Sequence, residues 1–168
     1  MARRYWDIFA LPGIELTHLP AAAVAEAARK AKYLGASVVV VHGESIVEPV
    51  EPGTNLAAVN NPDVDILAHP GFITEEEASI AAERGVFIEI SARKGHSLTN
   101  GHVAKTALKA GAKMLVDSDA HASSDLLTDE FALKVIRGTG IEEGFYKEIL
   151  EDNPQMLLNR IKGLYKKV

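Results

Sequence analysis

The runs Val38-Val39-Val40-Val41-His42-Gly43 and Asp65-Ile66-Leu67-Ala68-His69-Pro70 decide the fold. Each is a short aliphatic stretch that ends in a histidine and then a turn residue. Apolar residues in an unbroken run are what a strand buried on both faces presents, and such strands belong to parallel sheets covered by helices. Outward from these two runs, aliphatic stretches alternate with segments of helical period, the pattern of βα units. Five strands are predicted, over 8–16, 37–42, 64–69, 86–90 and 113–117. Between them Val24, Ala27, Ala28, Ala31 and Leu34 line one helical stripe, and Val103, Ala104, Ala107, Leu108 and Ala110 line another. Gly35, Gly85 and Gly111 stand between a helix and the next strand, where a left-handed residue ends the helix. Thr74 with Glu77 spells a capping box at the start of the third helical segment. After the fifth strand, residues 125–137, 141–152 and a last helix opened by Asn153 and Pro154 form a helical C-terminal cover, with Leu157, Ile161 and Leu164 on one face. The end, Lys166-Lys167-Val168, reads as solvated. With no linker and no low-complexity tract, the expectation is one α/β domain over residues 1–168.

Composition narrows the function. The 168 residues are 47% hydrophobic and 24% charged, which suits a globular domain with a sizeable core. No apolar run approaches the roughly 18 residues of a membrane span. Met1-Ala2-Arg3-Arg4 leads straight into Tyr5, Trp6 and Asp7, without the apolar core of a signal peptide, so the expected location is the cytoplasm. Cysteine is absent, which excludes disulfides, thiolate metal sites and thiol catalysis together. Any metal must therefore be held by His, Asp or Glu. A net charge of −5 argues against a broad nucleic-acid surface.

The chemistry lies where the strands end. Glu15, His42, His69, Glu89 and Asp117 close the successive strands, with Asp119 and His121 just beyond the last. Parallel α/β architectures gather such positions on one rim, where ligands bind. A buried strand gains nothing by ending in a carboxylate or imidazole unless a partner compensates its desolvation. A divalent ion is such a partner, and imidazole with carboxylate suits Zn2+, Mn2+ or Fe2+. Glu15, His42, His69, Asp119 and His121 are the candidate ligands, for one to three ions. Asp119 and His121, two apart in an extended segment, point the same way. Glu89 either faces the rim or pairs with Arg93 or Lys94. His18, His96 and His102 carry a weaker signal, as loop and helix-start residues, and Glu44, Glu48 and Glu51 read as a solvated acidic loop. Residues 91–101 (SARKGHSLTNG) concentrate cationic and hydrogen-bonding groups beside the rim. There Arg93 could fork to two phosphate oxygens, Lys94 and His96 add charge or a proton, and a helix N-terminus near Asn100 offers N–H groups to an anion.

Gly13-Ile14-Glu15, the strand ending in His42, Ile66-Leu67-Ala68-His69-Pro70 and Asp117-Ser118-Asp119-Ala120-His121 resemble the later motifs of the PHP (polymerase and histidinol phosphatase) superfamily. The segments VVVVHGE, EPVEPGTNLAA, VDILAHPG, ARKGHSLTNGH and DSDAH further resemble its histidinol-phosphatase-like members, over nearly the whole chain. The resemblance implies a distorted seven-stranded βα barrel with two or three metal ions at its C-terminal rim, hydrolysing phosphate esters through a metal-bound hydroxide. It implies that Glu15, His42 and His69 surround one ion, that Glu15 bridges to a second held partly by Asp119, and that His121 belongs to a third. The family opens with a His-x-His strand, followed by further His and Asp ligands. This chain has no histidine before His18 and is N-terminally incomplete against that pattern by two βα units.

The expected structure is therefore a partial (β/α) barrel of PHP type with about five parallel strands. Five strands do not close a barrel, so homo-oligomerisation through the open edges of the first and fifth is expected. A shortened chain, a natural partial barrel completed by a second copy and a remnant that has lost catalysis all fit the pattern. The function predicted is a metal-dependent phosphoesterase acting on a small phosphorylated substrate. The alternative is a catalytically impaired PHP scaffold that binds a phosphorylated ligand, RNA or a protein partner; an amidohydrolase-like metal hydrolase would use similar ligands on another bond.

Overall fold

The computed structural model describes residues 10–165, and side chains through Ile161. Its strands are β1 (Gly13–Leu16), β2 (Val38–His42), β3 (Ile66–Ala68), β4 (Phe87–Ser91) and β5 (Met114–Asp117). All pair in parallel, in the order β1-β2-β3-β4-β5. The helices are α1 (Val24–Tyr33), α2 (Thr54–Val59), α3 (Glu75–Arg84), α4 (Asn100–Ala110), α5 (Asp129–Arg137) and α6 (Asn153–Tyr165). The architecture is thus an α/β partial barrel, a sequential parallel sheet with a C-terminal helical region. The strands are shorter than the aliphatic runs that announce them. Asp65 spends its side chain on its neighbours and stays outside β3, and Pro12, which has no N–H for a ladder, precedes β1. The expected residues 8 and 9 of the first strand, the Leu164 side chain and the terminal 166–168 lie outside the described residues.

Register divides the sheet into two chemically different faces, because alternate residues of a strand point oppositely. Leu16, Val39, Val41, Leu67, Ile88, Ile90 and Met114 share one buried cluster with Val24, Ala28, Ala78, Ala81, Val103 and Ala107 of α1, α3 and α4. Each fully buried aliphatic side chain there contributes about 1.5–3 kcal/mol. The other face is the inner side of the open barrel. Its lower layer is apolar: Ile66, Phe87 and Leu115 pack on Leu157 and Ile161 of α6, with Val38 and Val40 partly buried beside them. Its upper layer, two residues further along each strand, is where Glu15, His42, Glu89 and Asp117 stand.

Helix ends follow the local chemistry. Thr74 accepts from Glu77 N while the Glu77 carboxylate accepts from Thr74 N, the reciprocal box expected of that pair. Gly85 and Gly111 end α3 and α4 with φ of 72° each. The segment 141–152 is less regular than a single helix: a 3-10 turn at Glu143–Phe145 is followed by a π-helical turn at Glu148–Asp152 that runs into α6. Asn153 is buried at that junction and its Nδ2 donates to the Met114 carbonyl at 3.0 Å, tying α6 to β5. No helix among the described residues is long and apolar enough to cross a membrane.

Candidate metal centre

The carboxyl ends of β1, β2 and β3 bring Glu15, His42 and His69 together. The outer nitrogen of each imidazole is already committed. His69 Nδ1 stands 3.0 Å from Glu89 Oε2, which also accepts from the His69 backbone N–H at 3.0 Å. His42 Nε2 stands 3.0 Å from the Glu48 carbonyl. An ionised carboxylate and a carbonyl only accept, so both of these nitrogens donate, and the inner nitrogens His42 Nδ1 and His69 Nε2 present lone pairs. Those two nitrogens are 2.9 Å apart, and Glu15 Oε1 lies 3.4 Å from the first and 3.7 Å from the second. Three acceptor atoms converging on one point, two of them on buried rings and the third on the exposed Glu15, repel one another unless a proton or a cation lies between them. Ligands about 2 Å from a tetrahedral zinc ion stand roughly 3.3 Å from one another, so the donor set fits such an ion in both chemistry and spacing.

A second set, His69, His96 and Asp119, adjoins the first. His96 is buried and stacked on His69 with ring centroids 4.1 Å apart. Its Nδ1 is 2.6 Å from Ser45 Oγ, which leaves Nε2 facing Glu48 Oε2 at 3.4 Å and Asp119 Oδ2 at 3.7 Å. Since Glu89 occupies His69 Nδ1, only Nε2 of that ring is free for an ion. It serves one of the two adjacent positions at a time. Backbone geometry agrees with special placement: His18, His69 and Asp119 are the non-glycine residues with positive φ, at 54°, 32° and 45°. Such conformations cost energy and persist where surrounding contacts enforce them.

Electrostatics follow from this crowding. The His42 imidazole holds the Glu15 carboxyl below its ordinary range. Burial works against charge on His42, but Glu15 and the Glu48 carbonyl outweigh it and raise the ring. Burial, then the nearby His69 and His42 rings, lower His96 below its ordinary value. Burial raises Asp119, and burial with the adjacent Glu89 charge pushes Asp117 up to about 7.

The remaining candidates lie around this centre. Arg93 Nε is 3.2 Å from Asp119 Oδ2, its Nη1 donates to the Asp119 carbonyl at 3.1 Å, and Nη1 lies 3.8 Å from Asp125. Arg93 and the exposed Lys94 border a cavity of about 510 Å3 that also includes Ser118, Ser124 and Phe131. His121 is exposed, with Nδ1 3.6 Å from Asp119 Oδ1, and stands in neither three-residue set. His18 is exposed beside His42, ring centroids 5.4 Å apart. His102 is elsewhere, its Nε2 donating to the Ile73 carbonyl at 2.8 Å.

Of the two alternatives for Glu89, the structure has the rim: it pairs with neither Arg93 nor Lys94 and orients His69. Two expectations change. The stretch holding Glu44, Glu48 and Glu51 is not simply a solvated loop: Glu44 Oε1 accepts from Gly53 N and Asn55 N at 2.9 and 3.0 Å, Glu51 Oε2 accepts from Ala21 N at 2.5 Å, and Glu48 reaches both His42 and His96. The start of α4 is not open to an anion, because a 3-10 turn at His96–Thr99 precedes it and the Asn100 N–H donates to the Ser97 carbonyl. Ser45 was not among the candidates at all, since nothing in the spacing of residues 45 and 96 links them.

No family model matches the chain. It is 49% identical over 160 residues to an uncharacterized protein, MJ1295, of Methanocaldococcus jannaschii, an alignment covering 95% of this chain and 73% of that protein. It is 43% identical over 97 residues to a probable phosphatase of Thermoanaerobacter sp. (strain X514), covering 51% of this chain and 40% of that one. A probable phosphatase of Shewanella sp. (strain ANA-3) is 30% identical over 144 residues, or 76% of this chain and 56% of that protein. The chain thus spans only part of the length of these phosphatases.

Proposed function

The chain belongs to the family of the uncharacterized protein MJ1295, and on that premise we propose that it is a metal-dependent phosphoesterase of the PHP type, acting on a small phosphorylated substrate. The observation that carries this reading is the convergence of Glu15, His42 and His69 lone pairs on one point, with each imidazole fixed from behind. The likeness to proteins named probable phosphatases supports the bond type. Glu15, His42 and His69 would hold one divalent ion, and His96 with Asp119 would hold a neighbouring one. Zinc, manganese or iron suits these donors; when bound, such an ion supplies polarisation of a phosphoryl oxygen and acidification of water.

The residues around the ions divide the remaining work. Glu89 and the Glu48 carbonyl keep His69 and His42 in the tautomers that present Nε2 and Nδ1 inward. Ser45 Oγ, which can donate or accept, holds the His96 ring in place. Lys94 and Arg93 border the adjoining cavity and would bind the substrate phosphate. Arg93 is shared with Asp119, so its guanidinium links the phosphate pocket to the metal rim. His121, exposed beside Asp119, would be a ligand of a third position.

The test is hydrolysis of a model phosphate monoester by protein supplied with Mn2+ or Zn2+, with bound metal measured by mass spectrometry. Turnover by the unaltered chain, and loss of both turnover and metal in His69→Ala, is the expected result. Metal bound without turnover would favour the scaffold reading, and unchanged metal content in His69→Ala would refute the ligand assignment.

A further inference from the structure

One buried group has a demand that no described contact meets. Glu89 is 2% exposed; its Oε2 is engaged by His69, while its Oε1 is buried with no hydrogen-bond partner among the described residues. A carboxylate oxygen removed from water and left unpaired is strongly disfavoured, so such an atom marks a place where something binds. Glu89 forms part of the wall of a cavity of about 300 Å3 on the inner face of the sheet. Glu15, His69, Asp117 and Asp119 share that wall over an apolar floor that includes Val40 and Ile66, and among the described residues no lysine or arginine lines it. The register sets Glu89 opposite Leu115, so Asp117 stands two residues further on along the same inward face. Two acidic side chains on neighbouring strands of one face, one with a free buried oxygen, repel each other unless a proton or a cation relieves them.

We propose that this cavity is a cation site chemically distinct from the histidine centre: an oxygen-only position for a hard divalent ion, Mg2+ or Mn2+, held by Glu89 Oε1 and the Asp117 carboxylate. One or two carboxylates with water in the other positions is the coordination that these ions prefer, whereas the imidazole-rich centre selects zinc-like ions. Glu89 would then join the two positions, one oxygen on the ion and the other on His69. The site does not depend on the reaction proposed above and would stand if the protein hydrolysed no phosphoester.

The test is Mn2+ uptake, followed by the free-ion EPR signal, in protein first loaded with zinc and freed of excess. About one further Mn2+ per chain is expected, held in part by water. Asp117→Asn is isosteric and alters none of the described hydrogen bonds of the histidines; it should weaken Mn2+ binding at least roughly tenfold while zinc content and melting temperature hold. Glu89→Gln should lose the Mn2+ as well and serves as the second variant if Asp117→Asn does not fold. His42→Ala should retain it. The proposal is overturned if zinc-loaded protein takes up no Mn2+ at millimolar concentration, so that water alone fills the cavity. It is equally overturned if Asp117→Asn binds Mn2+ like the unaltered chain, or if His42→Ala abolishes the uptake, which would put the Mn2+ in the histidine centre.

Discussion

His69 is where the demands on this rim meet. Its backbone is held at a φ of 32°, its Nδ1 is spent on Glu89, and its Nε2 faces two other acceptors. Glu89 acts on an ion bound at His69 Nε2 through the ring, by fixing its tautomer and raising its basicity. Glu89→Gln keeps the shape and one acceptor oxygen but loses the charge. It should lower affinity for zinc by roughly 10–100-fold without unfolding the chain, measured by competition with a chromophoric chelator. Affinity equal to that of the unaltered protein would mean that Glu89 merely fills space. His42 and His69 were legible in the sequence because an imidazole ending an aliphatic run has no structural reason to be there. Glu89 was legible as a rim position but not as the partner of His69. Ser45 and Glu48 were not legible as supports, because contacts across 51 and 48 residues leave no mark on local spacing.

Among elements, α6 decides whether the inner face keeps its apolar floor covered. Leu157 and Ile161 supply the cover, and a polar clasp at the opposite end of the strands from the metal rim holds the helix down. Asp65 pairs with Lys32, accepts from Val39 N at 2.8 Å and meets Arg160 Nη2 at 3.0 Å; Arg160 Nη1 also donates to the Gly85 carbonyl at 2.9 Å. Removing the nearly buried Asp65 strands two cations and an N–H at once. Asp65→Ala should therefore cost about 2–4 kcal/mol in urea unfolding. Arg160 is 39% exposed, so Arg160→Ala should cost about 1 kcal/mol. Equal losses would show that the clasp is not organised around Asp65. The elements themselves were legible from aliphatic runs, helical stripes and the Thr74–Glu77 box. The breakup of 141–152 was not, since an apolar stripe of near-helical period reads alike for α-, 3-10 and π-type turns.

At the scale of the whole molecule, the sheet is open among the described residues. There β1 and β5 each have one neighbour, and Gly13, Ile14 and Glu15 of β1 are exposed. Unpaired edges of a parallel sheet invite pairing with another chain. We propose self-association through them, and light scattering should give a mass above that of one chain; a strictly monomeric species at crystallisation concentrations would contradict this. The partial barrel also places the candidate ligands at one end of the sheet, as parallel βα units require, and that arrangement was legible because the strand ends recur at intervals of a strand and a helix. The central claim is that a divalent ion is held at this end by residues from three successive strands. Anomalous diffraction at the zinc edge from zinc-loaded crystals tests it most directly. The account predicts a peak about 2.0–2.2 Å from Glu15 Oε1, His42 Nδ1 and His69 Nε2. A map with no peak there, or with peaks only at surface carboxylates, would contradict it.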